Sequence, residues 1–194
     1  MAVIVQDLFT AINGTLLENH VPDIGGVWTK ISGTSISINT NALNNIPQVI
    51  SGAYRNNTLV IGDFTINVNI STSIYNVAPI SNTFYFGLHD GISTVFDNCI
   101  ITNQTLFNRH SGSGFSFVSG FATLVTLQRV GANMNLYTNG IFRSTYPANG
   151  NNGYPYLNVA FISAAITNSI DNFTVETFAA PPSPPTLLSL ACGV

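Results

Sequence analysis

The chain has 194 residues, enough for one domain with a self-sufficient core, since a domain of this size buries roughly two thirds of its unfolded surface. Charged residues make up only 7%, against about a quarter in typical globular proteins, and the net charge is −3. The five basic residues, Lys30, Arg55, Arg109, Arg129 and Arg143, are scattered singly, which excludes a phosphate-tracking stripe and with it nucleic-acid binding.

Asn, Ser, Thr and Gly take the place of the missing charges, so the surface hydrogen-bonds without being ionic. Such a surface suits neutral sugars or dense packing beside other subunits. The opening "MAVIVQDLFTAING" carries no Lys or Arg before its short apolar run and does not read as a signal peptide. No window approaches the roughly 18 apolar residues of a membrane-spanning helix, and no membrane partner is expected. Cys99 and Cys192 are too few for a disulfide framework and read as two free thiols, one in a strand and one in the tail.

Along the chain, period-2 patterning recurs between turn clusters. Residues 27–38, "VWTKISGTSISI", alternate around a central glycine. In 58–72, Phe64, Ile66, Val68 and Ile70 share one face while Thr65, Asn67, Asn69 and Ser71 share the other, the mark of a strand with one wet side. Aromatic-rich 82–90 is followed across a glycine by 92–102, and 111–121 reads as a flexible turn into a strand. Residues 121–130 lead to "MNLYTNGIFRSTY", where Asn139-Gly140 supplies the two positive-φ residues of a type I′ hairpin. Residues 154–163 and 169–178 read as two closing strands. A marginal turn near Leu16–His20 is the one helical hint. The expectation is an all-β antiparallel sandwich or barrel of ten to twelve short strands over 1–178. Prolines in "AAPPSPP" cannot continue a sheet, so 179–194 is expected to run as an extended, proline-rich C-terminal arm.

Two ends of the chain narrow this further. Asp7, Phe9, Asn13, Gly14, Thr15, His20, Pro22, Asp23, Gly25, Gly26 and Trp28 form an ordered N-terminal pattern, and Asp171, Asn172 and Phe173 form a C-terminal one. Together they resemble concanavalin A-like (laminin-G/lectin-like) jelly-roll modules of the type found in bacteriophage structural proteins. The resemblance implies a jelly-roll β-sandwich whose first and last strands lie side by side. The tight His20–Gly26 loop feeds Trp28 inward as a buried anchor, the alternative being a sugar platform, and the resemblance offers a structural calcium at Asp7 and Asp171 as an alternative to strand-end hydrogen bonding. No Asp-x-Asp-x-Asp cluster supports a calcium cage.

Chemistry is scarce. Glycoside hydrolases of that superfold carry a Glu-x-Asp-x-x-Glu strand, whereas the two glutamates here, Glu18 and Glu176, belong to no such motif. Asp90 and Asp97 sit seven apart across a turn, as a carboxylate pair or a solvated hairpin rim. His20, His89 and His110 stand alone in the sequence, without metal-ligand spacing. No enzyme is expected. The first functional expectation is a virion structural protein on the particle surface, most of all a capsid decoration (cement) protein, with a tail or fibre component behind it. Leu187, Leu188 and Leu190 would then dock on a neighbour such as the major capsid protein, within a homo-oligomer of which the class suggests a trimer. The alternative is a lectin-like carbohydrate-binding module, with Tyr146, Tyr154 and Tyr156 of "STYPANGNNGYPY" contacting a glycan.

Overall fold

The computed structural model describes residues 1–44, 50–70, 83–102, 105–110, 113–118, 124–161 and 169–178. Within them lie sixteen strands. The first six are β1 (Ala2–Asp7), β2 (Thr15–Leu16), β3 (Trp28–Gly33), β4 (Ser37–Asn39), β5 (Ala42–Asn44) and β6 (Ile50–Asn56). Five more follow: β7 (Phe64–Ile70), β8 (Thr83–His89), β9 (Val95–Thr102), β10 (Thr105–His110) and β11 (Ser113–Val118). The last five are β12 (Leu124–Val130), β13 (Asn133–Thr138), β14 (Ile141–Pro147), β15 (Tyr154–Phe161) and β16 (Ser169–Thr177). The helical hint becomes a single 3₁₀ turn, Leu17–Asn19.

The strands form two antiparallel sheets. One runs β14-β13-β12-β7-β16-β5-β4-β2, with β1 also paired to β16. The other runs β11-β10-β9-β8-β15-β6-β3. Their facing sides make one core, in which Phe64, Ile66, Val68 and Ile70 of β7 are buried as their alternation requires. The Asn139-Gly140 hairpin joins β13 to β14 with both residues at positive φ.

One local expectation changes. Residues 27–38 are not one strand, because the chain leaves the second sheet after Gly33 and re-enters the first as β4. Gly33 has φ +78° and lies against the Ser51 backbone, a close approach that only a residue without Cβ permits. Within 111–121 the expected strand is Ser113–Val118, which pairs along its whole length with β10.

The expected meeting of the chain's ends is present. β1 and β16 lie side by side with Asp7 opposite Phe173. Trp28 is buried and meets the Phe173 ring edge-on at 5.3 Å. Asp7 organises this corner. Its Oδ1 accepts the Phe9 N–H at 2.7 Å and lies 2.9 Å from His20 Nε2, while Oδ2 accepts the Trp28 indole N–H at 2.7 Å. The N-terminal pattern is thus a buried hydrogen-bond cluster that locks Trp28 into the core.

Candidate functional site

At one end of the sandwich the chain makes three crossings: the β8–β9 turn, the Ala148–Gly153 segment, and the strap from Asn57 to Asp63 that links β6 to β7. Between the first two lies a cleft of about 450 Å³, lined by Asp90, Thr94, Phe96, Asn149, Asn151 and Asn152.

The β8–β9 turn is built by its own aspartate. Asp90 Oδ1 accepts the N–H groups of Ile92, Ser93 and Thr94 at 2.7, 2.8 and 3.0 Å, and the Asp90 N–H donates to the Thr94 carbonyl at 2.9 Å. The Thr94 amide, with those of Ile92 and Ser93, holds the Asp90 carboxyl well below the usual carboxylate range. Behind it, Gly91 N–H donates to His89 Nδ1 at 2.9 Å, which leaves the ring's proton on Nε2 when the ring is neutral. Burial, helped by the Arg55 charge and opposed by Asp90, lowers the His89 pKa and favours that neutral form. The Arg55 guanidinium donates to the Gly91 carbonyl at 2.7 Å and lies 4.9 Å over the Tyr154 ring, closing this wall.

The opposite wall, "ANGNNG" (148–153), is polar and glycine-containing, and its backbone is held from beneath. The Ala148 N–H donates to the Ala132 carbonyl at 2.8 Å, and the Asn149 N–H donates to Asp97 Oδ1 at 2.8 Å. Buried Arg129 donates to the Asn151 carbonyl at 2.5 Å, and from Nε to the Gly62 carbonyl at 2.9 Å. Its guanidinium lies 3.7 Å from Asp97 Oδ2 and 4.8 Å over the Phe64 ring. Asn152 Oδ1 accepts the Gly62 N–H at 3.2 Å, while Gly153 and Val60 exchange backbone bonds at 2.7 and 3.2 Å. Gly153 is obligatory: a Cβ there would stand 2.7 Å from Phe96 Cζ and 2.9 Å from the His89 carbonyl. The walls are therefore pre-organised, and the cleft presents one carboxylate, one hydroxyl and three amides above an aromatic floor.

The predicted site residues fall as follows. Tyr154 is half-buried under Arg55. Tyr146 and Tyr156 are 3% and 7% exposed, so neither offers a ring face to a ligand. Tyr146 instead donates to the Asn98 carbonyl at 3.3 Å, and Tyr156 stacks on His89 at 5.7 Å. Leu187, Leu188, Leu190 and Cys192 lie outside the described residues, as does the His110 side chain. Asp90 and Asp97 are neither a catalytic pair nor a common solvated rim. One caps an exposed turn and the other is buried against Arg129. His20 and His89 do not stand alone but pack against Asp7 and Tyr156. Both oxygens of Asp7 are taken by protein donors, and Asp171 pairs in register with Asn69 of β7. Among the described residues no three His, Cys, Asp or Glu side chains gather as metal ligands. Glu18, in the 3₁₀ turn, is engaged by Ser35, Tyr54 (3.1 Å) and Lys30 (3.6 Å), and Glu176 lies on β16 between Val3 of β1 and Thr65 of β7. The sequence shows the Asn-rich loop and Asp90 separately but not that they line one cleft, since the role of Asp90 depends on a turn folding around it.

No protein-family model and no curated protein matches the sequence. Solved structures do match the architecture. A Bacillus subtilis protein of unknown function with a galectin-like fold superposes with TM-score 0.63 at 9% identity, over 91% of this chain and 96% of that one. The fold is that of the galectin-like, concanavalin A-like sandwich. The carbohydrate-binding module CBM66 from Bacillus subtilis gives TM-score 0.54 at 12% identity, over 80% of this chain and 98% of that one. A Bacillus licheniformis β-glucanase gives 0.55 at 11%, over 89% and 97%. The fold thus serves both carbohydrate-binding modules and enzymes, and only the site distinguishes them. Neither these likenesses nor the described residues support a virion setting. No helix among the described residues is long and apolar enough to cross a membrane.

Proposed function

We propose that this protein is a carbohydrate-binding module without catalytic activity, and that its ligand is a neutral glycan seated in the Asp90–Asn151 cleft. The lining carries the proposal: a carboxylate fixed in its ionised form faces asparagine amides and a threonine hydroxyl, the acceptor and donor set that reads neighbouring sugar hydroxyls. The cleft's size suits one or two sugar residues. The fold likeness to CBM66 agrees with this reading. A binding role is favoured over hydrolysis because a glycosidase uses two carboxyls flanking one bond, and among the described residues Asp90 is the carboxylate that lines the cleft.

A glycan array probed with the intact chain, beside Asn151→Ala and Asp90→Asn, tests this. Binding to a restricted set of neutral glycans is expected, weakened at least about tenfold by Asp90→Asn because the lost bonds are charge-assisted. Asn151→Ala should weaken binding while leaving the thermal midpoint in place, since its side chain is exposed. No glycan bound by the wild type, or equal binding by both variants, overturns the proposal.

A further inference from the structure

The same end of the sandwich carries a second feature that the cleft does not use. Ile92, at the tip of the β8–β9 turn, is 87% exposed, and across the cleft Ile61 and Leu59 on the strap are 61% and 46% exposed. The strap is tied so that these two point outward: Val60 between them is fully buried and bonded in both directions to Gly153. Scattered exposed aliphatics are ordinary. Here Ile92 lies on the turn that forms one wall of the cleft, and Ile61 and Leu59 lie on the strap bonded to the other wall.

We propose that this end docks on a neutral lipid bilayer displaying glycolipid, the cleft taking the sugar headgroup while Ile92 and Ile61 enter the interface. The inference rests on the glycan reading of the cleft. Three observations favour a lipid surface over a protein partner. Separated apolar tips suit a fluid interface, whereas a protein interface needs one contiguous, shape-matched patch. The amides of Ile92, Ser93 and Thr94 are already bonded to Asp90, so no backbone donor at the tip loses a partner when it leaves water. The charges also match a neutral headgroup layer. Arg55 and Arg129 are committed to carbonyls of the fold, while Asp63 and Asp90 repel an anionic surface. Contact of this kind needs no spanning segment.

The test is co-flotation of the intact chain with three vesicle types: phosphatidylcholine alone, phosphatidylcholine with mixed neutral glycosphingolipids, and the latter with added phosphatidylserine. Binding is expected to the second, with weakening in the third. An Ile61→Ser, Ile92→Ser double variant should lose vesicle binding by about tenfold or more, the interfacial transfer of two aliphatic side chains, while binding spacer-linked glycans on an array as the wild type does. Wild-type binding to spacer-linked glycans with no flotation on any vesicle overturns the lipid proposal and leaves the glycan reading standing. So does equal flotation of the double variant. Failure on both array and vesicles removes the two readings together.

Discussion

Removing the Arg129 side chain tests how the cleft is held. Arg129 is 2% exposed and joins three parts of the molecule: Asp97 of β9, the Gly62 carbonyl of the strap and the Asn151 carbonyl of the cleft wall. Arg129→Met removes the guanidinium from over Phe64 and leaves the buried Asp97 carboxylate without this counter-charge, while the Gly62 and Asn151 carbonyls, on exposed residues, pass to water. Each orphaned buried polar group costs about 1–3 kcal/mol, and breaking a buried ion pair from one side costs about 3–5 kcal/mol. These terms describe overlapping losses, so the expected destabilisation is about 3–5 kcal/mol, or roughly 6–20 °C in Tm for a chain of this size.

Urea unfolding followed by the fluorescence of Trp28, the chain's one tryptophan, reports the loss directly because that ring is buried in the core. Asp97→Asn keeps an oxygen for the Asn149 amide while discharging the site. The double variant Arg129→Met, Asp97→Asn should therefore be less destabilised than the two single losses summed. Glycan affinity should fall with Arg129→Met even where the protein remains folded, because the Asn149–Asn151 wall loses its tether. A midpoint shift worth under about 1 kcal/mol would refute the reasoning, since a buried guanidinium making these contacts cannot be removed so cheaply.

Three further outcomes are expected. Asp7→Ala should destabilise by about 2–5 kcal/mol in urea unfolding, as the Trp28 indole and Phe9 amide lose their acceptor, whereas Trp28→Phe, followed by circular dichroism because it removes the fluorophore, should restore part of the loss in the Asp7→Ala background. Burial raises the Asp7 pKa despite the Phe9 amide and His20, so the folded protein holds this proton more tightly than the unfolded chain. Its ionisation therefore opposes folding above the folded pKa, and that cost is relieved as pH falls toward the unfolded value. The loss caused by Asp7→Ala should accordingly vary between pH 7 and pH 4 in urea titrations, and a constant loss would count against this assignment. Gly153→Ala should lower the thermal midpoint and the glycan affinity together, because the added methyl meets Phe96 and the His89 carbonyl. In a Cys192→Ser background Cys99, fully buried with its thiol pKa pushed up by burial, should resist a thiol reagent until the protein is unfolded.

What the sequence made legible was local. The Asn139-Gly140 hairpin and the alternation of β7 are written in adjacent residues, and both appear as expected. The meeting of the chain's ends was legible through a motif, with Asp7 brought opposite Phe173. The reason for that motif was not, because Asp7, His20 and Trp28 act on one another across 13 and 21 residues and become a cluster only when folded. The tyrosines failed for a different reason. In "STYPANGNNGYPY" prolines and glycines break any period, so nothing in the string says that Tyr146 and Tyr156 face inward. Asp90 was visible as a charge beside a glycine, but its value lies in three backbone amides that a turn must first assemble. The splitting of 27–38 between two sheets was hidden in Gly33, whose close approach to Ser51 involves a strand 18 residues away.

The distribution of charge connects these points. Solubility alone would place all five basic and eight acidic residues on the surface, yet Asp7, Asp97 and Arg129 are buried. Burying a charge is unfavourable unless it is paired and hydrogen-bonded, and each of these three satisfies several main-chain or side-chain groups at once. Asp90 does the same at the surface for a turn that would otherwise leave three amides to water. Charge in this protein serves as an internal fastening for loops and corners. Asn, Ser and Thr remain to meet the solvent, and the Asn149–Asn152 wall of the cleft is uncharged and held by hydrogen bonds from Arg129 and Gly62 and to Asp97. On the glycan reading proposed above, such a wall would select ligands by the positions of their hydroxyls.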